Sequence, residues 1–334
     1  MKHVLIISNI PAPYRSGQFA CLRSRFPKWR VSVLYTGKIE ADRVWETDEP
    51  EENTYFLQSK VLSVKGGEVG GTATRFVHLP KGLFKTLNAL KPDVVIAGEY
   101  NFSAVQALFW AKAHGIPFVN MTDGTLRSES YIGTVQKLTR RMIVSGADSF
   151  LASGTKAAEK LLHWGADEER IAIAYLTVDT APFLALTRQP EDGTILYVGR
   201  ISREKGLDLS RCPRIEMREY LYNMPTVMAA ADLVICRAGA STISEITALA
   251  TPAILVPSPY VTNNHQEKNA RILEQHGGAV VLLEADASGE ALYRAASGIL
   301  RDPQRQADMS RGMAELGIRD ATKRLYDTVM SIRK

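Results

Sequence analysis

The chain is poor in cysteine and has no long apolar run. Its 334 residues carry three cysteines, Cys21, Cys212 and Cys236, odd in number and widely spaced. That excludes a disulfide framework and a cysteine metal site, and it favours a reducing compartment. No apolar stretch approaches the roughly 20 residues that a membrane-spanning helix needs. The opening Met-Lys-His-Val-Leu-Ile-Ile-Ser reads as a first strand, broken by Pro11 too early for a signal peptide. Internal repeats and low-complexity tracts are absent. So is the aromatic and basic interleaving that marks nucleic-acid binding.

What is present is ordinary globular composition, 45% apolar and 23% charged. The length exceeds a usual single core, so two α/β domains are expected. The formal charge of +5 is unevenly placed. Residues 1–150 hold 19 Lys and Arg against 13 Asp and Glu, and the remainder hold 22 against 23. Arg127, Lys137, Arg140 and Arg141 gather around the helical stretch 131–144, which also carries Ile132, Val135, Leu138 and Met142. Such a basic amphipathic helix suits an anionic bilayer surface, and equally an ordinary solvated face.

Short buried strands alternate with helices along most of the chain, which predicts parallel, doubly wound sheets. Strands are expected at 2–8, 29–35, 93–97, 117–121, 151–153, 171–175, 194–198, 233–236, 253–256 and 279–283. The stretch 37–71 resists assignment, and its Gly66-Gly67 and Gly70-Gly71 pairs read as a turn rather than a phosphate loop. Residues 184–193 read as an interdomain linker between domains 1–183 and 194–316. A terminal helix within 317–334 is expected to pack back on the first domain.

Chemistry collects where strands end. Glu99 and Asp123 each follow a strand of the first domain and would point into one crevice. In the second domain a strand stops at Arg237-Ala238-Gly239, and a helix opens at Ser241 with Glu245 one turn in. The free amides of Gly239, Ala240 and Ser241, with the helix dipole, suit a diphosphate, and Glu245 suits a pair of hydroxyls. Arg200 and Lys205 follow the strand at 194–198 and offer charge-assisted contacts to the same diphosphate. His265, Gln266 and Asn269 open the next helix; their ordinary role would be helix capping. The residues alone point to a nucleotide-like ligand.

Two stretches resemble known families of one architecture, the GT-B glycosyltransferases, whose two Rossmann-like domains have parallel sheets facing across a cleft. SNIPAPYR at 8–15, PDVVIAGEYNFSA at 92–104, GIPFVNMTDGTLRSE at 115–129, GADSFLASGTKAAEKL at 146–161 and VGRISREKG at 198–206 make residues 1–206 resemble glycosyltransferase family 4. That resemblance implies donor-diphosphate roles for Arg200 and Lys205. YLYNMPTVMAAADLVICRAGASTISEITAL at 220–249 and PAILVPSPYVTNNHQEKNA at 252–270 make residues 218–334 resemble the peptidoglycan N-acetylglucosaminyltransferases acting on lipid I. This second resemblance implies ribose binding by Glu245, sugar binding by His265, Gln266 and Asn269, and UDP-N-acetylglucosamine or a close UDP-sugar as donor.

The chain departs from both patterns. Family 4 places a glutamate where Arg237 stands, and the lipid I enzymes carry a histidine in the first loop, here Pro11-Ala12-Pro13-Tyr14-Arg15. Family 4 retains anomeric configuration and the lipid I enzymes invert it, so the resemblance leaves stereochemistry open. The join between Gly206 and Arg214 is chimera-like and short by a helix, a strand and a helix, so the second sheet is expected to lack one strand.

The combined expectation is a metal-independent glycosyltransferase with no cofactor. Asp123 or Glu99 would act as its catalytic carboxylate, and its acceptor would be linked to a polyprenyl diphosphate at the inner membrane face. An inactive UDP-sugar binder and a UDP-sugar 2-epimerase stand as alternatives. No nucleic-acid partner is expected.

Overall fold

The computed structural model describes residues 1–11, 13–25, 28–38, 52–65, 74–129, 132–174, 180–189, 193–199, 215, 216, 218, 221, 223–261, 264–318 and 320–331. The chain divides into two compact units, Met1–Asp179 with Asp320–Lys334, and Thr180–Arg319.

In chain order the first unit comprises β1 (Lys2–Ser8), α1 (Pro13–Arg25), β2 (Trp29–Tyr35), β3 (Thr54–Phe56), β4 (Ser59–Lys65), β5 (Thr74–Pro80), α2 (Leu83–Leu90), β6 (Val94–Gly98), α3 (Phe102–Ala113), β7 (Phe118–Thr122), α4 (Thr134–Gly146), β8 (Ser149–Ala152), α5 (Thr155–His163) and β9 (Ile171–Ile173). The second unit holds α6 (Ala181–Leu184), β10 (Ile195–Val198), α7 (Met224–Ala230), β11 (Leu233–Cys236), α8 (Ala240–Leu249), β12 (Ala253–Leu255), α9 (His265–Gln275), β13 (Ala279–Val281), α10 (Gly289–Leu300) and α11 (Pro303–Leu316). Helix α12 (Ala321–Ser331) returns to the first unit.

The first unit is a seven-stranded parallel sheet in the order β3-β2-β1-β6-β7-β8-β9. Its central strands are buried on both faces, so they read as continuous apolar runs rather than alternating ones. Along β1, Leu5 and Ile7 join one core with Val95, Ala97, Phe118 and Phe150. Val4 and Ile6 join the other, with Val31, Ile96, Phe19 and Leu22. Leu325 and Val329 of α12 complete that second core, and Tyr326 meets the Trp29 ring at 4.7 Å between centroids. The sheet order reverses between β1 and β6, where parallel α/β sheets open a crevice at the strand ends. The loops there are tied by Asn101 Nδ2 donating to Asn9 Oδ1 at 3.1 Å.

Several local expectations need correcting. The unassigned stretch 37–71 contributes β3 and β4, and β4 pairs antiparallel with β5 just beyond it, while both glycine pairs lie outside the described residues. Helix α4 begins at Thr134, three residues later than expected.

The second unit contains, among the described residues, a four-stranded parallel sheet in the order β10-β11-β12-β13. Leu233, Ile254, Ala296, Ile299 and Met309 form its core, with Ile235 packed against them. β10 pairs directly with β11, and Ile195 and Tyr197 on it are 44% and 43% exposed. A fully covered strand of a parallel sheet would bury both faces. Residues 215, 216 and 218, which follow the short join, are in no strand, and the join itself lies outside the described residues.

Candidate functional site

The first unit brings Glu99 and Asp123 together. Glu99 follows β6 with a left-handed backbone, φ 59°, a conformation that costs a non-glycine residue about 1–2 kcal/mol. Such strain persists where surrounding bonds over-determine it. Here Asn120 Nδ2 donates to the Glu99 carbonyl at 2.8 Å, and the Asp123 amide donates to Glu99 Oε1 at 2.9 Å. Thr122 Oγ1 lies 3.2 Å from both carboxyl oxygens. Burial, then the Asp123 charge, pushes the Glu99 carboxyl above the usual glutamate range, against the pull of Lys160. Asp123 is the more open of the two, its side chain 48% exposed, with Arg15 Nη2 at 4.0 Å.

Beneath them lies a charged cluster that sequence reasoning missed. Lys160 on α5 is fully buried; its Nζ donates to Thr122 Oγ1 at 2.6 Å and lies 3.8 Å from Glu129 Oε1. Glu129 also accepts from Arg140 Nε and from Trp164 Nε1, each at 2.7 Å. Tyr100 stacks under both cations, 4.7 Å from Lys160 Nζ and 4.9 Å from the Arg140 guanidinium. The available signal was position: Lys160 sits between Ala157 and Leu161 on the apolar face of α5. Arg140 corrects a second expectation, since it turns inward to Glu129 instead of joining an outward basic face.

In the second unit, β11 ends at Cys236 and α8 starts at Ala240, one residue earlier than expected, with Gly239 at the N-cap. Its first amides therefore face the strand ends, where a helix dipole favours an anion. One turn in, Glu245 is half-buried, and no ion pair joins it among the described residues. Burial pushes its carboxyl up to about 7. Cys236 is buried, which pushes its thiol up to about 12, with Glu245 adding to the shift; a neutral, inaccessible thiol is inert.

The opening of α9 braces this turn. Asn269 Nδ2 donates to the Ala238 carbonyl at 3.3 Å, and Gln266 Oε1 accepts from the Ser258 amide at 2.9 Å. Gln266 thus clamps the loop after β12 instead of capping its own helix, and its NH2 makes no bond among the described residues. Asn264 holds the N-cap position of α9, and His265 is exposed. Arg237 binds the Val256 carbonyl at 3.0 Å and pairs with Glu284, tying the strand ends together. Arg200 and Lys205 lie outside the described residues.

Residues 194–325 match the glycosyltransferase family 28 C-terminal domain. The second unit's turn, helix and clamps all lie within that match. A similar curated protein is the UDP-N-acetylglucosamine–N-acetylmuramyl-(pentapeptide) pyrophosphoryl-undecaprenol N-acetylglucosamine transferase of Acetivibrio thermocellus. It is 47% identical over 143 residues, covering 43% of this chain and 36% of that protein. The chain thus spans little more than a third of the length of this relative. Over almost its full length the fold is like that of Acinetobacter baumannii MurG, with TM-score 0.63 and 18% identity, covering 99% of this chain and 100% of that one. A UDP-GlcNAc 2-epimerase from Neisseria meningitidis matches equally well, TM-score 0.63 and 14% identity over 99% and 100% of the chains. The fold is therefore GT-B, with two Rossmann-like units, as the family resemblance led us to expect.

Proposed function

We propose that this chain is a UDP-sugar-dependent glycosyltransferase that moves N-acetylglucosamine, or a related hexose, onto a membrane-linked glycan acceptor. The observation that carries the reading is the Gly239–Glu245 turn and helix start, braced by Asn269 and Gln266, inside the family 28 match. The amides of Gly239, Ala240 and Ser241 receive the diphosphate, joined by Arg200 and Lys205. Glu245 accepts hydrogen bonds from the ribose hydroxyls, and His265, Gln266 and Asn269 select the sugar.

On the acceptor side, Asp123, backed by Glu99, takes the proton of the attacking hydroxyl. That oxygen bonds to the anomeric carbon as the sugar–phosphate bond breaks, and UDP leaves with the electron pair. Cations and helix amides aimed at the departing diphosphate stabilise charge that develops in the transition state, where such groups contribute most.

The relative acts on an N-acetylmuramyl-(pentapeptide) pyrophosphoryl-undecaprenol, and α4 supports a membrane-bound acceptor here. Val135 and Leu138 on it are 75% and 57% exposed, beside the exposed Lys137 and Arg141. Among the described residues no helix is long and apolar enough to cross a membrane. Held by the exposed face of α4, the chain would work as a peripheral protein on the cytoplasmic face.

The deciding experiment measures UDP release from UDP-N-acetylglucosamine with and without undecaprenyl-diphosphate-linked muramoyl acceptor. Acceptor-dependent release supports the proposal. A rise in melting temperature with UDP-N-acetylglucosamine, but no UDP from any acceptor tried, would make the chain a binder without turnover.

A further inference from the structure

A chain of hydrogen bonds runs through the first unit from a fully buried ammonium to a half-exposed carboxylate. Lys160 Nζ donates to Thr122 Oγ1 at 2.6 Å. The Thr122 hydroxyl donates in turn to Glu99, 3.2 Å from each oxygen. Glu99 is joined to Asp123 by the Asp123 amide, which donates to Glu99 Oε1 at 2.9 Å. That bond sets the two carboxyl groups side by side, and like charges so placed disfavour ionising both, so the pair favours one proton held in common.

The remaining charges are arranged around this relay. Glu129 faces Lys160 at 3.8 Å and holds Arg140 at 2.7 Å. Arg15 approaches Asp123 at 4.0 Å from α1, and Lys160 and Arg140 both lie over the Tyr100 ring. Three carboxyl groups thus face three cations. Packing does not call for a lysine at position 160, because its neighbours Ala157 and Leu161 make that face of α5 apolar. An apolar side chain there would avoid the cost of burying an ammonium.

We infer that Lys160 is a positioning residue that, through Thr122, holds the Glu99 carboxyl against Asp123, so that the pair carries one shared proton and Asp123 presents its open oxygen to an acceptor hydroxyl. The inference deepens the proposed acceptor-side role of Asp123 and rests on it for its catalytic meaning. When the pair takes the hydroxyl proton it passes from one net negative charge to none. The positive charge of Lys160 keeps the singly protonated state populated, since a nearby cation favours the charged form of a carboxyl group.

The test follows the Glu99 carboxyl carbon by NMR through a pH titration of the full chain, assigned with Glu99→Gln. Lys160→Met should raise the Glu99 midpoint by about one pH unit or more, and Lys160→Arg should restore most of it. Asp123→Asn, which removes the like charge, should lower it. Thr122→Val breaks the relay without touching Lys160 and should raise it, which keeps the test open if Lys160→Met does not fold. A Glu99 midpoint unmoved by Asp123→Asn, or by both Lys160→Met and Thr122→Val, overturns the inference.

Affinity for UDP-N-acetylglucosamine should stay unchanged in all five variants. Where turnover is measurable, the pH profile of kcat should move with the Glu99 midpoint while KM for the donor does not. Absence of turnover in every form, wild type included, defeats the transferase reading while leaving the titration result to stand or fall by itself.

Discussion

Glu245 offers the sharpest test of the donor site, because one carboxyl links stability, pH and ligand binding. Burial raises it from 4.5 to about 7, and a rise of that size corresponds to about 3 kcal/mol. The unfolded carboxyl ionises near 4.5, so between 4.5 and 7 the folded chain binds more protons than the unfolded one. Stability therefore falls as pH rises through that window, and the full cost is present above 7. Glu245→Gln removes the titration. At pH 8 the variant should be more stable than wild type by about 1–3 kcal/mol, allowing for residual solvent contact, and the gain should shrink toward pH 5. Urea unfolding at the two pH values measures it.

Ribose hydroxyls that donate to Glu245 favour its ionised form, so donor binding at pH 7 should release about half a proton. Calorimetry with UDP-N-acetylglucosamine in two buffers of different ionisation enthalpy reads this number. The sugar nucleotide is the right probe because its diphosphate, esterified at both ends, has no group titrating near neutrality. Equal proton release in wild type and Glu245→Gln, or none in wild type, would refute the assignment of Glu245 to the ribose. A gain in stability that does not vary with pH would refute the electrostatic argument.

Three further outcomes follow from the geometry. Glu129→Gln leaves Lys160 and Arg140 buried without their carboxylate and should cost about 3–5 kcal/mol in urea unfolding. Gly312→Ala sets a Cβ against the His276 carbonyl oxygen and 2.9 Å from the Gly278 amide nitrogen. With backbone on both sides there is no flexible side chain to give way, and a loss of about 1–3 kcal/mol in thermal unfolding is expected. Leu138→Glu, on the open face of α4, should weaken sedimentation with anionic vesicles several-fold while leaving the melting temperature unchanged. Unaltered vesicle binding would remove α4 as the membrane face.

Much of the fold was legible because the two larger sheets are parallel. Strands buried on two faces must be apolar throughout, so Val4–Ile7, Val94–Ala97 and Leu233–Cys236 stand out wherever a glycine, proline or charge ends the run. The break at Arg237–Gly239 and the helix carrying Glu245 were readable for the same reason. The β4 and β5 pairing was not, because its strands are partly exposed and lie in a polar stretch with no clean period. Gln266 and Asn269 could be placed at a helix start, but their hold on Ser258 and Ala238 depends on loops 8 and 31 residues away.

The sequence by itself determined the layered α/β architecture, the likeness of the second unit to a UDP-sugar-binding domain, and the two carboxylates at strand ends. The first and last follow from apolar runs, turn residues and local order, which one dimension records, and the second from the resemblance carried by residues 220–249 and 252–270. Only the tertiary structure decided that Lys160 and Glu129 lie beneath Glu99, that Arg140 turns inward, and that Glu99 is held in a left-handed backbone against Asp123. Each of these depends on side chains brought together from β6, β7, α4 and α5. What decides them is the cost of leaving a buried charge unpaired, and that cost exists only once the chain has closed around it.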